Sequence, residues 1–211
     1  MAWNRLPSSY DVVARAYEAR FINELEDKPR DREFLTAFAN SAGDPVVEIG
    51  CGPGQIGLLV QAHGRHVVGL DISPEMAKLA SQRLRAALVA DFRALPLASG
   101  QVGALLAFYS LIHIPRTQLS SALSEFHRVL RPGGRVLFSC HQGEGIVELD
   151  EFMDEAVPFV ATLFRLEELG EATTAAGLTV TMAEQRPPSS FEHPTDRLYV
   201  AAERPGAIDP D

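Results

Sequence analysis

The residues best equipped for chemistry stand at the ends of short apolar runs. Glu48-Ile49-Gly50-Cys51-Gly52-Pro53-Gly54 lies where one such run gives way to a helical pattern. Glycines at that junction let the main chain approach a ligand closely, and the helix start beyond them offers unpaired N–H groups to an anion. Gly52, Gly54 and Gly57 satisfy the G-x-G-x-x-G spacing, so a nicotinamide cofactor is one reading. Glu48 argues for another, because a carboxylate there suits a positively charged ligand group better than a pyrophosphate. Asp71 ends the next run, twenty-one residues after Gly50, where a carboxylate accepts hydrogen bonds from ribose hydroxyls. Asp91 ends the third run and is followed by Phe92. An acid and a ring in that order can hold an amino-substituted base by its edge and its face.

Two histidines come later. His113 and His141 fall just beyond the ends of further apolar runs, on the side where open α/β sheets bind ligands. Both are candidate catalytic bases, weighed against a histidine that merely bonds to backbone. Tyr109, in Phe108-Tyr109-Ser110, and His141 are the candidate substrate contacts. Cys51 and Cys140 lie far apart without C-x-x-C spacing and read as small buried fillers. No metal site is expected, and the cysteine usage suits a reducing, cytoplasmic compartment.

The elements that must position these groups alternate. DPVVEIG (44–50), HVVGLD (66–71), AALVAD (86–91), VGALLAFYSL (102–111) and RVLFSCH (135–141) read as strands, with helical segments between them. Ser73-Pro74-Glu75 carries the cap, proline and acid of a helix start. Strand and helix in alternation mean a parallel sheet covered on both faces. GLTVTMAEQ (177–185) and DRLYVAAE (196–203) are joined by a connection too short for a helix, so they pair antiparallel. The expected fold class is therefore α/β, with a single Rossmann-like doubly wound sheet of seven strands. It is mainly parallel, with a reversed C-terminal edge hairpin. Ahead of it, Ser8 and Asp11 are spaced as a capping box for a first helix, and a second helix starts near Pro29 and ends by Gly43.

With those segments in place, the chain resembles the class I S-adenosylmethionine-dependent methyltransferases, in their small-molecule, type 11-like branch. The matching stretches are EIGCGPG (48–54), GLDISPEM (69–76), ADFRALP (90–96) and VLRPGGRV (129–136). The resemblance implies S-adenosylmethionine as cofactor. Gly50 and Gly52 would lie against its methionine part and Asp71 would hold the ribose. Ile72 would pack on the adenine, and Asp91 with Phe92 would read the adenine edge. Tyr10 and Tyr17 match tyrosines of the N-terminal helix that close over the cofactor in such enzymes. The Asn/Asp-Pro-Pro-Tyr tetrapeptide of many nucleobase and amide methyltransferases is replaced by Phe108-Tyr109-Ser110, which argues against those targets.

Composition narrows the partners. The chain has 211 residues, 46% of them hydrophobic, and a net charge of −9. So acidic a chain is a poor binder of phosphate backbones, and its longest apolar stretch, Val102 to Ile114, is too short to span a bilayer. The N-terminus has no apolar core after a basic start and does not read as a signal peptide. We expect one domain: a helical cap (1–43), a cofactor-binding core (44–141), a cap insertion (142–165), and a C-terminal helix and hairpin (166–205). The insertion carries six acids and no Lys or Arg between Gln142 and Phe164, read either as a solvated helix face or as a cap that repels polyanions. The expected reaction is methyl transfer to an oxygen or nitrogen of a small-molecule acceptor, without nucleic acid or membrane. A nicotinamide-dependent oxidoreductase and a silent cofactor-binding module are the alternatives.

Overall fold

Segments with no polar alternation become inner strands. In the computed structural model, which describes residues 2–206, every residue of Val46–Ile49 (β1) and of Val102–Phe108 (β4) is buried. The other strands are Val67–Asp71 (β2), Ala86–Val89 (β3), Leu130–His141 (β5), Ile146–Leu149 (β6), Phe159–Thr162 (β7), Thr179–Arg186 (β8) and Arg197–Glu203 (β9). Seven of them form one sheet in the order β3-β2-β1-β4-β5-β9-β8. β1 to β5 run parallel, while β9 is antiparallel to both β5 and β8. That is the expected mainly parallel seven-stranded sheet with its reversed hairpin at one edge. Strand order reverses between β1 and β4, and the crevice beyond the carboxyl ends of those two strands is where such sheets take ligands.

Helices cover both faces. Pro29–Ser41 (α2) and Gln55–Ala62 (α3) bury Leu35, Phe38, Ile56 and Val60 on one side. Leu119–Val129 (α5) and Leu166–Ala175 (α6) bury Leu123, Phe126 and Leu169 on the other. Pro74–Ala80 (α4) begins with Ser73 capping the Met76 amide, as its sequence predicts. Leu6–Phe21 (α1) packs Ala14, Tyr10 and Tyr17 on Met76 and Leu79 of α4.

Two local expectations are corrected. Ser8 and Asp11 do not form a capping box, because α1 starts two residues earlier at Leu6, and the Ser8 hydroxyl donates back to the Arg5 carbonyl. Asp11 is drawn instead to the start of α4, where it accepts from Ser73 Oγ at 2.5 Å and from the Glu75 amide at 3.2 Å. The insertion after β5 is not a helix. It folds back as the two-stranded antiparallel ribbon β6–β7, pairing Ile146 with Thr162 and Leu149 with Phe159. Among the described residues no helix is long and apolar enough to cross a membrane.

Candidate active site

A cavity of about 150 Å³ opens at the carboxyl ends of β1, β2 and β4. Its floor is the glycine turn after β1. Gly50 has a φ of +63°, and a Cβ there would sit 2.4 Å from Ser110 Cβ, so only glycine fits. Gly57 has a different reason: a Cβ would meet Glu48 Oε2 at 2.3 Å. The third glycine of the dinucleotide-like spacing therefore makes room for the buried Glu48 carboxyl group and the Leu84 and Val67 side chains.

Glu48 is 2% exposed. Burial pushes its carboxyl well above the ordinary range; the Gly57 amide works against this, and the charge of Asp71 adds to it. Glu48 Oε2, Gln55 Oε1 and Ser110 Oγ are buried, and all three residues line the cavity. An unsatisfied buried polar atom costs about 1–3 kcal/mol. Glu48 Oε2 lies toward the Gly57 backbone, while Gln55 Oε1 and Ser110 Oγ have no partner among the described residues. The Gln55 amide is oriented by Glu24 Oε1 at 2.9 Å, and Glu24 in turn takes Lys28 Nζ at 2.5 Å.

Asp71 closes β2 at the cavity wall. Its Oδ2 accepts from the Gly52 amide at 2.8 Å and its Oδ1 from the Ser73 amide at 2.9 Å. Burial outweighs these bonds and raises the carboxyl to about 6. Each oxygen keeps a further lone pair for a ligand hydroxyl. Ile72 and Phe92 line the cavity beside it. Asp91 lines it too, but its carboxylate is already held by Arg93, with Nη2 at 2.5 Å and the Arg93 amide at 2.9 Å. Burial favours the neutral form of Asp91, yet Arg93 holds the carboxyl below its ordinary value. A base edge read by Asp91 has to share it with that guanidinium.

The roof comes from α1. Tyr10 and Tyr17 both line the cavity, with ring centroids 5.9 Å apart. Tyr17 Cε1 comes within 3.9 Å of where a Gly52 Cβ would lie. The Tyr10 hydroxyl is 2.8 Å from His113 Nε2, and His113 Nδ1 is 2.8 Å from the Val160 carbonyl. A carbonyl only accepts, so Nδ1 carries the proton and Nε2 accepts from Tyr10. Burial lowers His113 to about 4, which keeps it neutral.

The structure separates His141 from this group. It does not line the cavity; Tyr109 does, and the His141 ring stacks on Tyr109 with centroids 5.1 Å apart. His141 Nδ1 is 2.9 Å from Thr195 Oγ1. Burial, with Arg197 and His193 nearby, lowers it to about 3. Tyr109 has a φ of +55°, unusual for a bulky residue, and its hydroxyl lies 3.2 Å from that of Tyr199.

Sequence reasoning missed what stands behind Tyr109. Tyr199 donates to Asp31 Oδ1 at 2.5 Å and accepts from Arg186 Nε at 2.9 Å. Arg186 also binds Asp31 at 2.8 Å and Glu192 at 2.7 Å. With Arg186 and Asp31 occupying two of the Tyr199 hydroxyl's bonds, Tyr109 is left to donate to it. Ser110 and Gln55 were missed as well, although each adjoins a recognised segment and is polar at an element end, which was a usable signal.

The chain has recognisable relatives among known proteins. Residues 47–138 match the family described as a methyltransferase domain. The chain is 30% identical over 152 residues to a malonyl-[acyl-carrier protein] O-methyltransferase of Serratia marcescens, covering 71% of this chain and 55% of that protein. It is 35% identical over 140 residues to a ubiquinone/menaquinone biosynthesis C-methyltransferase of Rubrivivax gelatinosus, covering 63% and 54%. The chain spans about half the length of these curated relatives. A solved methyltransferase from Methanosarcina mazei superposes with a TM-score of 0.71 at 17% identity, over 81% of this chain and 97% of that one.

Proposed function

The chain belongs to the class I S-adenosylmethionine-dependent methyltransferases, and from that premise we propose that the cavity holds S-adenosylmethionine while a methyl group passes to an oxygen or nitrogen of a small-molecule acceptor. The observation that carries this reading is the pair of unpartnered buried atoms Gln55 Oε1 and Ser110 Oγ, with the buried Glu48 carboxyl group, beside a glycine turn with no room for a side chain at Gly50. Their chemistry fits the cofactor. The Glu48 carboxyl group suits the ammonium of its methionine part, and the Asp71 oxygens suit the ribose hydroxyls. Ile72 and Phe92 offer apolar contact to the adenine, and Asp91 offers an acceptor at its edge. Tyr10 and Tyr17 would lie over the bound molecule.

The cofactor supplies a methyl group already activated on a sulfonium. The chain has to hold donor and acceptor in line and exclude water, and such placement alone can supply about 7–11 kcal/mol. Neither histidine is well placed to take a proton, since the His113 Nε2 lone pair is engaged by Tyr10 and His141 stands behind Tyr109. That favours acceptors which already present a lone pair, such as a neutral amine or a carboxylate. The malonyl relative is named for oxygen methylation, which supports the carboxylate arm.

The test is turnover of methyl-labelled S-adenosylmethionine with a panel of carboxylates, amines, phenols and alcohols. Labelled product should form from a carboxylate or an amine. Cofactor binding without turnover across the whole panel would favour a silent binding module.

A further inference from the structure

His113 stands at the one point where three separate parts of the fold meet around the cavity. It lies in the turn Leu111–His113 that follows β4. Its Nδ1 side reaches Val160 in the middle of β7 and its Nε2 side reaches Tyr10 in the middle of α1. The ring is also held edge-on by Tyr10, at 5.3 Å between centroids, and by Phe159, at 5.4 Å. Phe152, in the loop between β6 and β7, closes the circle at 4.7 Å from Phe159 and 5.6 Å from Tyr10. None of these neighbours is charged, so nothing there steadies an imidazolium.

We propose that His113 is a positioning residue whose two ring nitrogens tie α1, the turn after β4 and the β6–β7 ribbon into one roof, and so fix the Tyr10 ring against the cavity. The assignment is to a single tautomer. Nδ1 donates to a backbone carbonyl that cannot donate back. Nε2 therefore has only its lone pair, and the Tyr10 hydroxyl takes it. A general base would need that lone pair free and directed at the acceptor; here a tyrosine proton occupies it. The ribbon gains a function by the same geometry. Val160 is fully buried and its carbonyl is one end of the clamp, so displacing the ribbon releases Tyr10 even though the ribbon lies outside the seven-stranded sheet.

Asparagine and alanine separate the two bonds. His113→Asn keeps a side-chain N–H for Val160 and gives up the acceptor for Tyr10, while His113→Ala gives up both. Tyr10→Phe removes only the hydroxyl. The clamp itself is read on the empty 211-residue chain, and only the effect on affinity rests on the methyltransferase reading.

The experiment is 15N NMR of the imidazole nitrogens, with hydrogen exchange of residues 6–21 and 146–162 in the wild type and the three variants. His113 should appear as the Nδ1–H tautomer and stay neutral from pH 5 to 8. Tyr10→Phe should move the Nε2 resonance toward that of an unbonded ring nitrogen and speed exchange in α1. His113→Ala should speed exchange in α1 and the ribbon together, while His113→Asn leaves the ribbon protected. S-adenosylhomocysteine affinity should fall about two- to tenfold in Tyr10→Phe and His113→Asn, the size expected for one lost hydrogen bond. An Nε2–H tautomer, titration near pH 6.5, or an Nε2 signal unmoved by Tyr10→Phe would overturn the proposal. If the tautomer and exchange results hold but the wild type binds no S-adenosylhomocysteine, the clamp stands and the cofactor reading falls.

Discussion

Lowering the pH from 7.5 to 5.0 should weaken S-adenosylhomocysteine binding by about tenfold, through Asp71. Burial lifts this carboxyl to about 6, despite the amides of Ser73 and Gly52 that donate to it. In the unfolded chain it titrates near 3.9. A folded pKa above the unfolded one means the folded state disfavours the charge. The empty protein therefore loses stability as pH rises through the window from about 4 to 6, by about 3 kcal/mol in all. Ribose hydroxyls reverse the sign, because donors to the remaining lone pairs favour the ionised form. Binding then pulls the carboxyl down and releases a proton at pH values near 6. At pH 5, one unit below its value, about one chain in ten has Asp71 ionised, and the affinity falls by about 1.4 kcal/mol. Calorimetry at pH 5.0, 6.0 and 7.5, in two buffers of different ionisation enthalpy, measures both the affinity and the proton count. Glu48 is a second buried acid at the site, so variants must separate the two. Asp71→Ser should lose affinity and flatten the pH dependence, whereas Glu48→Gln should lose affinity and keep it. A flat wild-type profile, or an unchanged slope in Asp71→Ser, would refute the assignment of Asp71 to the ribose.

Four further outcomes follow from the same structure. Gly50→Ala would place a Cβ 2.4 Å from Ser110 Cβ at a φ of +63°; strain of about 1–3 kcal/mol should lower Tm by roughly 2–12 °C, and an unchanged Tm in a thermal melt would show that the turn can relax. Arg186→Met leaves Asp31 buried without its cation, while Glu192 keeps Arg197 Nε at 3.5 Å, and urea unfolding should show a loss of about 3–5 kcal/mol. Burial alone would raise Glu192, but Arg186, the Ser189 amide and Arg197 together hold it down at about 2, so its contribution is present above the ordinary carboxylate value and lost as pH falls toward 2; Glu192→Gln should flatten that acid limb of the Tm curve. With His113 at about 4 and His141 at about 3, both rings are neutral from pH 6 to 8, and the pH–rate profile should carry no histidine inflection there; an inflection near 6.5 that vanishes in His141→Ala would contradict the placement of His141 behind Tyr109.

The sheet was legible because inner parallel strands are buried on both faces, and runs such as Val102–Phe108 then carry no polar alternation. The ligand side was legible for a related reason: Glu48, Asp71 and Asp91 are acids that interrupt apolar runs at their ends. What escaped depended on partners distant in sequence. Asp31 looks like any first-turn helix acid, and its bonds reach Arg186 and Tyr199, 155 and 168 residues away. Asp11 has the spacing of a capping partner, but Ser73 and the Glu75 amide on a neighbouring helix draw it off. The ribbon 146–162 escaped because its strands are only four residues long and the first is mostly exposed, so the acids between and within them dominate the local pattern. His141 was placed on the correct edge of the sheet, but a sequence does not reveal that the left-handed turn at Tyr109 puts a ring between it and the cavity.

Whether the cavity at the ends of β1, β2 and β4 is an S-adenosylmethionine site is tested most directly by titrating the 211-residue chain with S-adenosylhomocysteine at pH 7.5, beside the same titration with NAD. One S-adenosylhomocysteine site per chain is expected, with a raised Tm, binding lost or strongly weakened in Asp71→Ser and Glu48→Gln, and no comparable response to NAD. No binding at millimolar S-adenosylhomocysteine, or tighter binding of NAD, would contradict it.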